Sequence, residues 1–300
     1  MPYGNRCLIS GSDGMLGSAI ETVFKPEFTP IQTDIKEFDV RQYRKFIKDI
    51  PTPNYILHLA AETNLEFCET YPRHAYWTNT IGTFNMVEIA RQLDIPIVYM
   101  STAGVFGNTS EEYFDENSVP DPVNTYGRSK WYGETAVRAY PKHYIFRISW
   151  AFGGHQRDRK FVMMMYKQIR DGKQVIQTVN DRTGSPSYTK DVAGVMKQFL
   201  LEKKPYGTYH IPCGEASRWE VVEEMIKHLK TYWVDNNAVP ASHFGDYSTT
   251  RPKCEVLRSV KGVKVRDWKE SLGEYLDEIT QVREVQEGER SFCCGEEGKE

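Results

Sequence analysis

Short β-branched runs alternate with longer amphipathic stretches from the start of the chain. The run at 6–10 is followed by a helical period at 15–24, 29–33 by 40–49, and 55–59 by 72–93. Residues 97–100, 124–140 and 144–148 continue the rhythm. Strands separated by helices cannot pair as hairpins, so the pattern predicts right-handed βαβ crossovers in a parallel sheet. The expected class is α/β, a Rossmann-like doubly wound sheet with a smaller C-terminal subdomain.

Past residue 150 the rhythm loosens. Helices are predicted at 161–171, 188–201 and 218–232, a strand at 207–211, and a turn-rich stretch at 180–187. Such a half caps a cleft rather than extending the sheet. We therefore expect a dinucleotide-binding domain at 1–149 that also receives 188–211, a substrate-binding subdomain at 150–284, and a disordered tail at 285–300, where Glu, Gly and Lys dominate.

Composition narrows the options. With 40% hydrophobic and 26% charged residues the chain has enough apolar material for a large core. A net charge of −3 provides no basic field for a phosphodiester backbone, so nucleic acid is not an expected partner. No charged-then-apolar leader precedes the first strand and no apolar run reaches the roughly 18–20 residues of a membrane span, which makes the cytoplasm the expected compartment. The six cysteines lack C-x-x-C spacing and read as reduced thiols; no metal site is expected.

Two constellations carry chemistry. Directly after the first strand, Gly11-Ser12-Asp13-Gly14-Met15-Leu16-Gly17 forms a G-x-x-G-x-x-G turn opening the first helix. Glycines there permit a tight turn, close approach of a pyrophosphate and close helix–strand packing, with the helix N-terminus supplying partial positive charge. Asp34, at the end of the second strand, is placed to accept hydrogen bonds from an adenosine ribose and favours NAD; Lys36 close by leaves NADP open. The second constellation is Tyr126 with Lys130. Positions i and i+4 share a helical face, and a neighbouring cation favours a phenolate. Ser101 and Thr102 end a strand, where open α/β sheets bind ligands, and Thr102 is expected to donate to a substrate carbonyl while Tyr126 protonates it.

With these motifs in order, the chain resembles the extended short-chain dehydrogenase/reductases and is most similar to the dTDP-4-dehydrorhamnose reductases. The likeness covers about 6–282. It also rests on His58-Leu59-Ala60-Ala61-Glu62-Thr63, Asn79-Thr80-Ile81-Gly82-Thr83, Ser101 through Gly107, Arg147-Ile148-Ser149-Trp150, Gly184 through Asp191, and Arg251-Pro252. The resemblance implies reduction of the 4-keto group of a nucleotide-linked 6-deoxy sugar with NAD(H) or NADP(H). Tyr126 would be the acid, Lys130 would hold the nicotinamide ribose and lower the phenol pKa, and Thr102 would polarise the carbonyl. Leu59, Ala60, Ala61 and Thr63 would line the dinucleotide path with Asp39 and Val40, and Asn79 would support the active-site network. Trp150 would pack on the sugar, Arg251 would hold the nucleotide part, and Ala103, Arg182 and Ser187 would complete the substrate side. A homodimer is the expected assembly.

Departures from the family pattern matter. Ala103 and Gly104 replace an Asp-Tyr pair after the threonine, implying a roomier pocket, and Glu66-Phe67 replaces an Asp-Lys pair. A sugar-nucleotide 4,6-dehydratase is disfavoured because Ala103-Gly104 supplies no acid pair. A 4-epimerase needs little beyond the same residues. A regulatory subunit on this scaffold, like the beta subunit of methionine adenosyltransferase, would not require the intact Tyr126, Lys130 and Thr102.

Overall fold

Alternation along the first strand sets the layers of the molecule. The computed structural model describes residues 5–45, 51–107, 111–230, 234–239 and 249–293. In β1 (Asn5–Ser10), Cys7 and Ile9 enter one buried cluster while Leu8 enters another on the opposite face. After β1 come α1 (Met15–Val23), β2 (Phe28–Thr33), β3 (Tyr55–His58), α2 (Leu65–Thr70), α3 (Pro72–Tyr76), α4 (Gly82–Leu93), β4 (Ile97–Thr102), α5 (Thr125–Arg138) and β5 (His143–Phe152). The chain continues through α6 (Phe161–Arg170), β6 (Val175–Val179), β7 (Thr183–Gly184), β8 (Pro186–Tyr188), α7 (Thr189–Leu201) and β9 (Gly207–His210). It closes with β10 (Ala216–Ser217), α8 (Arg218–His228), β11 (Asp235–Val239), β12 (Cys254–Glu255) and α9 (Trp268–Cys293).

The central sheet is seven-stranded and parallel in the order β2-β1-β3-β4-β5-β8, with β9 also pairing β5. This is the Rossmann-like doubly wound class that the alternating pattern predicts. One face buries α1 and α7 against Val98, Met100, Tyr144 and Phe146; the other buries α4 and α5 against Ile97, Tyr99 and Ile145. Strands covered on both faces are apolar nearly throughout, as parallel sheets require. Strand β5 serves two partners: its first half pairs β9 and its second half pairs β8. Strand order reverses at β1, between β2 and β3, and a crevice at that switch point is where such sheets bind ligands. A third apolar cluster joins α6, α8 and α9 to Phe152 and Tyr188 at the far end of β5. Among the described residues no helix is long and apolar enough to cross a membrane.

Several local expectations are corrected. The helix predicted at 72–93 is three pieces, because a wide π turn at Trp77–Ile81 lies between α3 and α4. Such π turns cluster at functional sites, and this one carries Asn79. The helix predicted at 40–49 is a kinked 3₁₀ segment, Val40–Lys45, whose start is pulled tight by Arg41 bonding Asp39; 46–50 lie outside the described residues. The turn-rich 180–187 contains β7 and reaches into β8. The tail expected from 285 is helical to Cys293 as the end of α9, its Glu, Gln and Arg being good helix formers; 294–300 lie outside the described residues.

Beneath the sheet's carboxyl end sits a buried ion pair. Glu134 on α5 and Arg147 on β5 are 0% and 1% exposed. Glu134 accepts from Arg147 Nε at 2.9 Å and Nη2 at 2.6 Å, from Arg138 Nη2 at 3.0 Å and from Ser101 Oγ at 2.6 Å. Arg147 Nη1 also meets His210 Nε2 at 3.2 Å. Because His210 Nδ1 faces the carbonyls of Phe114 and Arg258, the proton belongs on Nδ1 and Nε2 accepts. Removing one partner leaves an uncompensated buried charge, so Arg147→Met is expected to lower unfolding free energy by about 3–5 kcal/mol. Pairing it with Glu134→Leu should restore part of that loss. Urea denaturation reads both; a single variant as stable as the parent would contradict this role for the pair.

Candidate active site

The glycine turn is a fitted cradle. Gly11 has φ +76, and a Cβ there would lie 2.9 Å from the Ala60 backbone. A Cβ on Gly17 would lie 2.3 Å from the Ser12 carbonyl oxygen, so helix α1 abuts the turn with no space for a side chain. The amides of Gly11 and Ser12 donate to Thr33 O at 3.0 and 3.2 Å, locking the turn to β2. Gly14 occupies the N-cap of α1 and makes no side-chain cap, which leaves the helix N-terminus to an outside acceptor. Met15 and Leu16 form the first turn beyond it.

At the end of β2 the acids gather. Burial raises the Asp34 carboxyl above its ordinary range; a hydrogen bond to Asp13 and the charges of Asp13 and Glu37 push the same way, against the Ile35 amide. Lys36 is exposed. Asp39 is forked by Arg41, Nε to Oδ1 at 2.8 Å and Nη2 to Oδ2 at 2.7 Å, which holds it below the usual carboxylate range. Val40 is 5% exposed and packs into the core against Gly82, with its carbonyl accepting from Asn85 Nδ2 at 2.8 Å.

The segment leaving β3 runs past the turn, with Leu59 N donating to Ser10 O and the Ala60 backbone packed on Gly11, and continues through Ala61 to Thr63. Asn79 fastens this segment to α5: Nδ2 donates to Glu62 O and Ser129 Oγ, both at 2.9 Å, and Oδ1 accepts from Glu62 N at 2.8 Å. Beneath runs a buried chain in which Ser10 Oγ meets His58 Nδ1 at 2.7 Å, His58 Nε2 meets Thr83 Oγ1 at 3.0 Å, and Thr83 donates to Asn79 O at 2.6 Å. Burial and the nearby Lys130 push His58 down to about 3, so it is neutral.

Tyr126 lies in the first turn of α5. Asn124 caps that helix, accepting from Gly127 N at 2.9 Å and donating to Thr250 O at 2.9 Å, which ties the helix start to the C-terminal half. Gly127 is obligatory, since a Cβ there would stand 2.1 Å from Gly104 O. Thr102 Oγ1 accepts from Gly104 N at 3.0 Å, and both that hydroxyl and the Tyr126 ring border Gly104. Burial raises the Tyr126 phenol above its ordinary value, and the Thr102 hydroxyl opposes the rise. The sequence predicts a phenol pKa lowered by Lys130; here the lysine is drawn elsewhere. Its Nζ donates to Met100 O at 2.8 Å and lies 4.1 Å from the Tyr99 ring centre. Burial pushes Lys130 down to about 7, with Glu134 one turn along pulling it back.

The substrate-side residues divide. Trp150 Nε1 donates to Glu255 Oε2 at 2.7 Å; Arg218 covers one face of its ring at 3.7 Å, and Gly184 packs so close that a Cβ would be 2.4 Å from the indole. Arg182, Arg218 and Arg251 all act on Glu255, whose carboxyl burial nonetheless pushes up. Arg182 Nη1 donates to the carbonyls of Arg251 and Pro252, and Arg251 Nη2 to Glu66 at 2.8 Å. Glu66, read as the loss of a cation, is thus an anchor for one. Two of the expected substrate-side residues are buried. Ala103 is 0% exposed within the apolar cluster of Val105, Phe106 and Phe114, because the 3₁₀ turn after β4 rotates it inward. Gly104 is the position beside Thr102 and the Tyr126 ring. Ser187 is also 0% exposed and donates to Ser185 O, supporting β8. Sequence reasoning missed Arg218, Glu255, Ser129 and Glu134, which no local motif marks.

A glycine cradle at the switch point, facing a hydroxyl, a phenol and an amine across the ends of β3 and β4, defines a Rossmann-like α/β protein of the nucleotide-binding kind. The pattern of the RmlD substrate binding domain family matches residues 5–281, and the chain belongs to that family. It is 30% identical to a dTDP-4-dehydrorhamnose reductase of Mycolicibacterium smegmatis, over 89% of this chain and 84% of that one. The solved dTDP-4-dehydrorhamnose reductase of Bacillus anthracis, in complex with NADP, superposes with a TM-score of 0.84 at 30% identity, covering 92% of this chain and all of that one. Methionine adenosyltransferase 2 subunit beta of Xenopus tropicalis is 28% identical over 80% of this chain and 74% of its own length.

A buried lysine with a depressed pKa opposes folding most at low pH, where it must be charged in both states. Its cost falls as pH rises from about 7 toward the unfolded value of 10.5. Lys130→Met should therefore stabilise the protein, by more at pH 6.5 than at pH 9.5, in urea titrations. A gain independent of pH would mean that Lys130 is not held in this low-dielectric position.

Proposed function

We propose that the chain reduces the 4-keto group of a nucleotide-linked 6-deoxy sugar, with a nicotinamide dinucleotide as reductant and Tyr126 as the proton donor. The observation that carries this reading is the placement of Thr102 Oγ1 and the Tyr126 ring together beside Gly104 at the end of β4, on a sheet whose first strand leads into a glycine turn with no space for side chains at Gly11 and Gly17. The cradle fits a dinucleotide: Gly11, Gly14, Met15 and Leu16 would face its pyrophosphate, and Ala60, Ala61 and Thr63 its path toward the site. When bound, that group supplies the hydride. The chain's own residues do the rest. Thr102 donates to the keto oxygen, and Tyr126 gives its proton to the same oxygen as negative charge develops there. A phenol with a raised pKa stays protonated until that moment, and the nascent alkoxide is more basic still. Lys130, on the same face of α5, supplies a compensating positive charge. Arg182, Arg218 and Arg251 around Glu255 offer guanidinium groups to the nucleotide diphosphate. Gly104 leaves space beside Thr102, so we expect weak discrimination among sugars.

The test is absorbance loss of NADH or NADPH with dTDP-, UDP- and GDP-linked 4-keto-6-deoxy sugars. Tyr126→Phe keeps the ring and removes the proton, so turnover should fall by about 100-fold or more while the cofactor still binds. Unimpaired turnover in that variant would end this mechanism. The likeness to the Xenopus tropicalis subunit favours a second reading, a non-catalytic subunit; it requires that no sugar in the panel consumes reductant.

Cofactor choice follows from the acids. Asp13, Asp34 and Glu37 around the ribose position would repel a 2′-phosphate, so NADH should serve at least as well as NADPH. Asp34→Ala should shift the ratio of kcat/KM values toward NADPH. A parent enzyme with strong preference for NADPH would show that Lys36 or Arg41 governs the site.

A further inference from the structure

The segment joining β5 to α6 is built to deliver one cation. Gly153, Gly154 and His155 have φ of +120, +86 and +51, which fold the chain back onto the start of α1. A Cβ at Gly154 would lie 2.9 Å from Met15 Cα, so the segment rests on the glycine turn itself. Asp158, 1% exposed, fixes its shape: Oδ2 accepts from Gly153 N at 3.1 Å and from Tyr275 Oη at 3.0 Å, and Oδ1 from Lys160 N at 2.8 Å. From this support Lys160 reaches across to the other half of the molecule, where Nζ donates to Thr63 Oγ1 at 2.9 Å.

That partner is a poor match for an ammonium. Glu62, Asp158 and Cys68 influence Lys160 through space, but among the described residues it makes no ion pair. Lys160 is exposed and its ammonium is held by a neutral hydroxyl rather than a carboxylate, a bond that an entering anion can displace. Thr63 lies just beyond Ala60, whose backbone closes the space beside Gly11. The ammonium thus stands between the glycine turn and the tyrosine site, in a place that offers positive charge to an anionic ligand.

We propose that Lys160 is a diphosphate-binding residue, exchanging the Thr63 hydroxyl for a phosphate oxygen when ligand enters and so joining the two halves through the ligand. This rests on the dinucleotide reading above. The diphosphate of a dinucleotide and that of a nucleotide sugar share the same chemistry; the contact of Gly154 with Met15 favours the dinucleotide.

Calorimetric titration distinguishes the sources without needing turnover. Lys160→Gln keeps a hydrogen-bonding group for Thr63 but removes the charge. It should weaken NADH and ADP-ribose alike by about tenfold, the scale of one charge-assisted hydrogen bond, and reduce the salt dependence of both. Lys160→Arg should recover most of the affinity, and dTDP binding should be unchanged. Weakening of dTDP alone would retain the diphosphate role and move it to the nucleotide sugar. Unaltered affinity for all three ligands, with the parent binding NADH normally, would overturn the proposal and leave Lys160 a tether between the halves. Failure of the parent to bind NADH or ADP-ribose would instead overturn the dinucleotide reading on which the proposal rests.

Discussion

The site depends on a carboxylate that has no access to water. Glu134 is bound by Arg147, Arg138 and Ser101 together, and four hydrogen bonds offset the desolvation that makes a buried charge costly. What those bonds secure is register. Ser101 immediately precedes Thr102, and Lys130 lies one turn before Glu134 on α5. A single carboxylate therefore fixes the hydroxyl-bearing strand end against the helix that carries the phenol and the amine. Arg147 extends the same hold to β5, and His210, pushed down to about 4 by burial and by Arg147, closes the network as a neutral acceptor on β9.

Above this foundation the groups have opposite characters. Burial favours the neutral phenol of Tyr126 and lowers Lys130, while Glu134 draws Lys130 back toward its charged form. On the far side, Arg182, Arg218 and Arg251 share Glu255, so cationic capacity is stored against one acid rather than left open to solvent. Glu66 restrains Arg251 further. An anion entering there would compete with carboxylates already in place. Gly104, not Ala103, is the position beside Thr102 and Tyr126, because Ala103 is turned into the core.

Much of this was legible in the sequence, and the limit has a physical form. The glycine turn, Tyr126 with Lys130, and Thr102 at a strand end are set by local spacing, and each lies where its motif implies. Apolar alternation likewise predicts β1 to β5 and their parallel pairing. What local spacing cannot show is a partner brought near by the fold: Arg147 for Glu134, Glu66 for Arg251, or Thr63 for Lys160, the last two separated by 185 and 97 positions. The direction of a side chain after a strand end was misjudged for the same reason, since the 3₁₀ turn that buries Ala103 depends on packing against Phe106 and Phe114. Periodicity also ran through Asn79 as one helix, whereas the bonds of that side chain to Glu62 and Ser129 accompany a local widening.

In the proposed reaction, hydride passes from the nicotinamide to a sugar carbonyl and the proton comes from Tyr126. That reaction is tested most directly by supplying NADH deuterated at the transferable position with a 4-keto-6-deoxy sugar nucleotide and examining the product by NMR. One deuterium at C4 of the reduced sugar is expected for each NADH oxidised. Interconversion of sugars with no net oxidation of NADH, or product formed with no deuterium at C4, would contradict it.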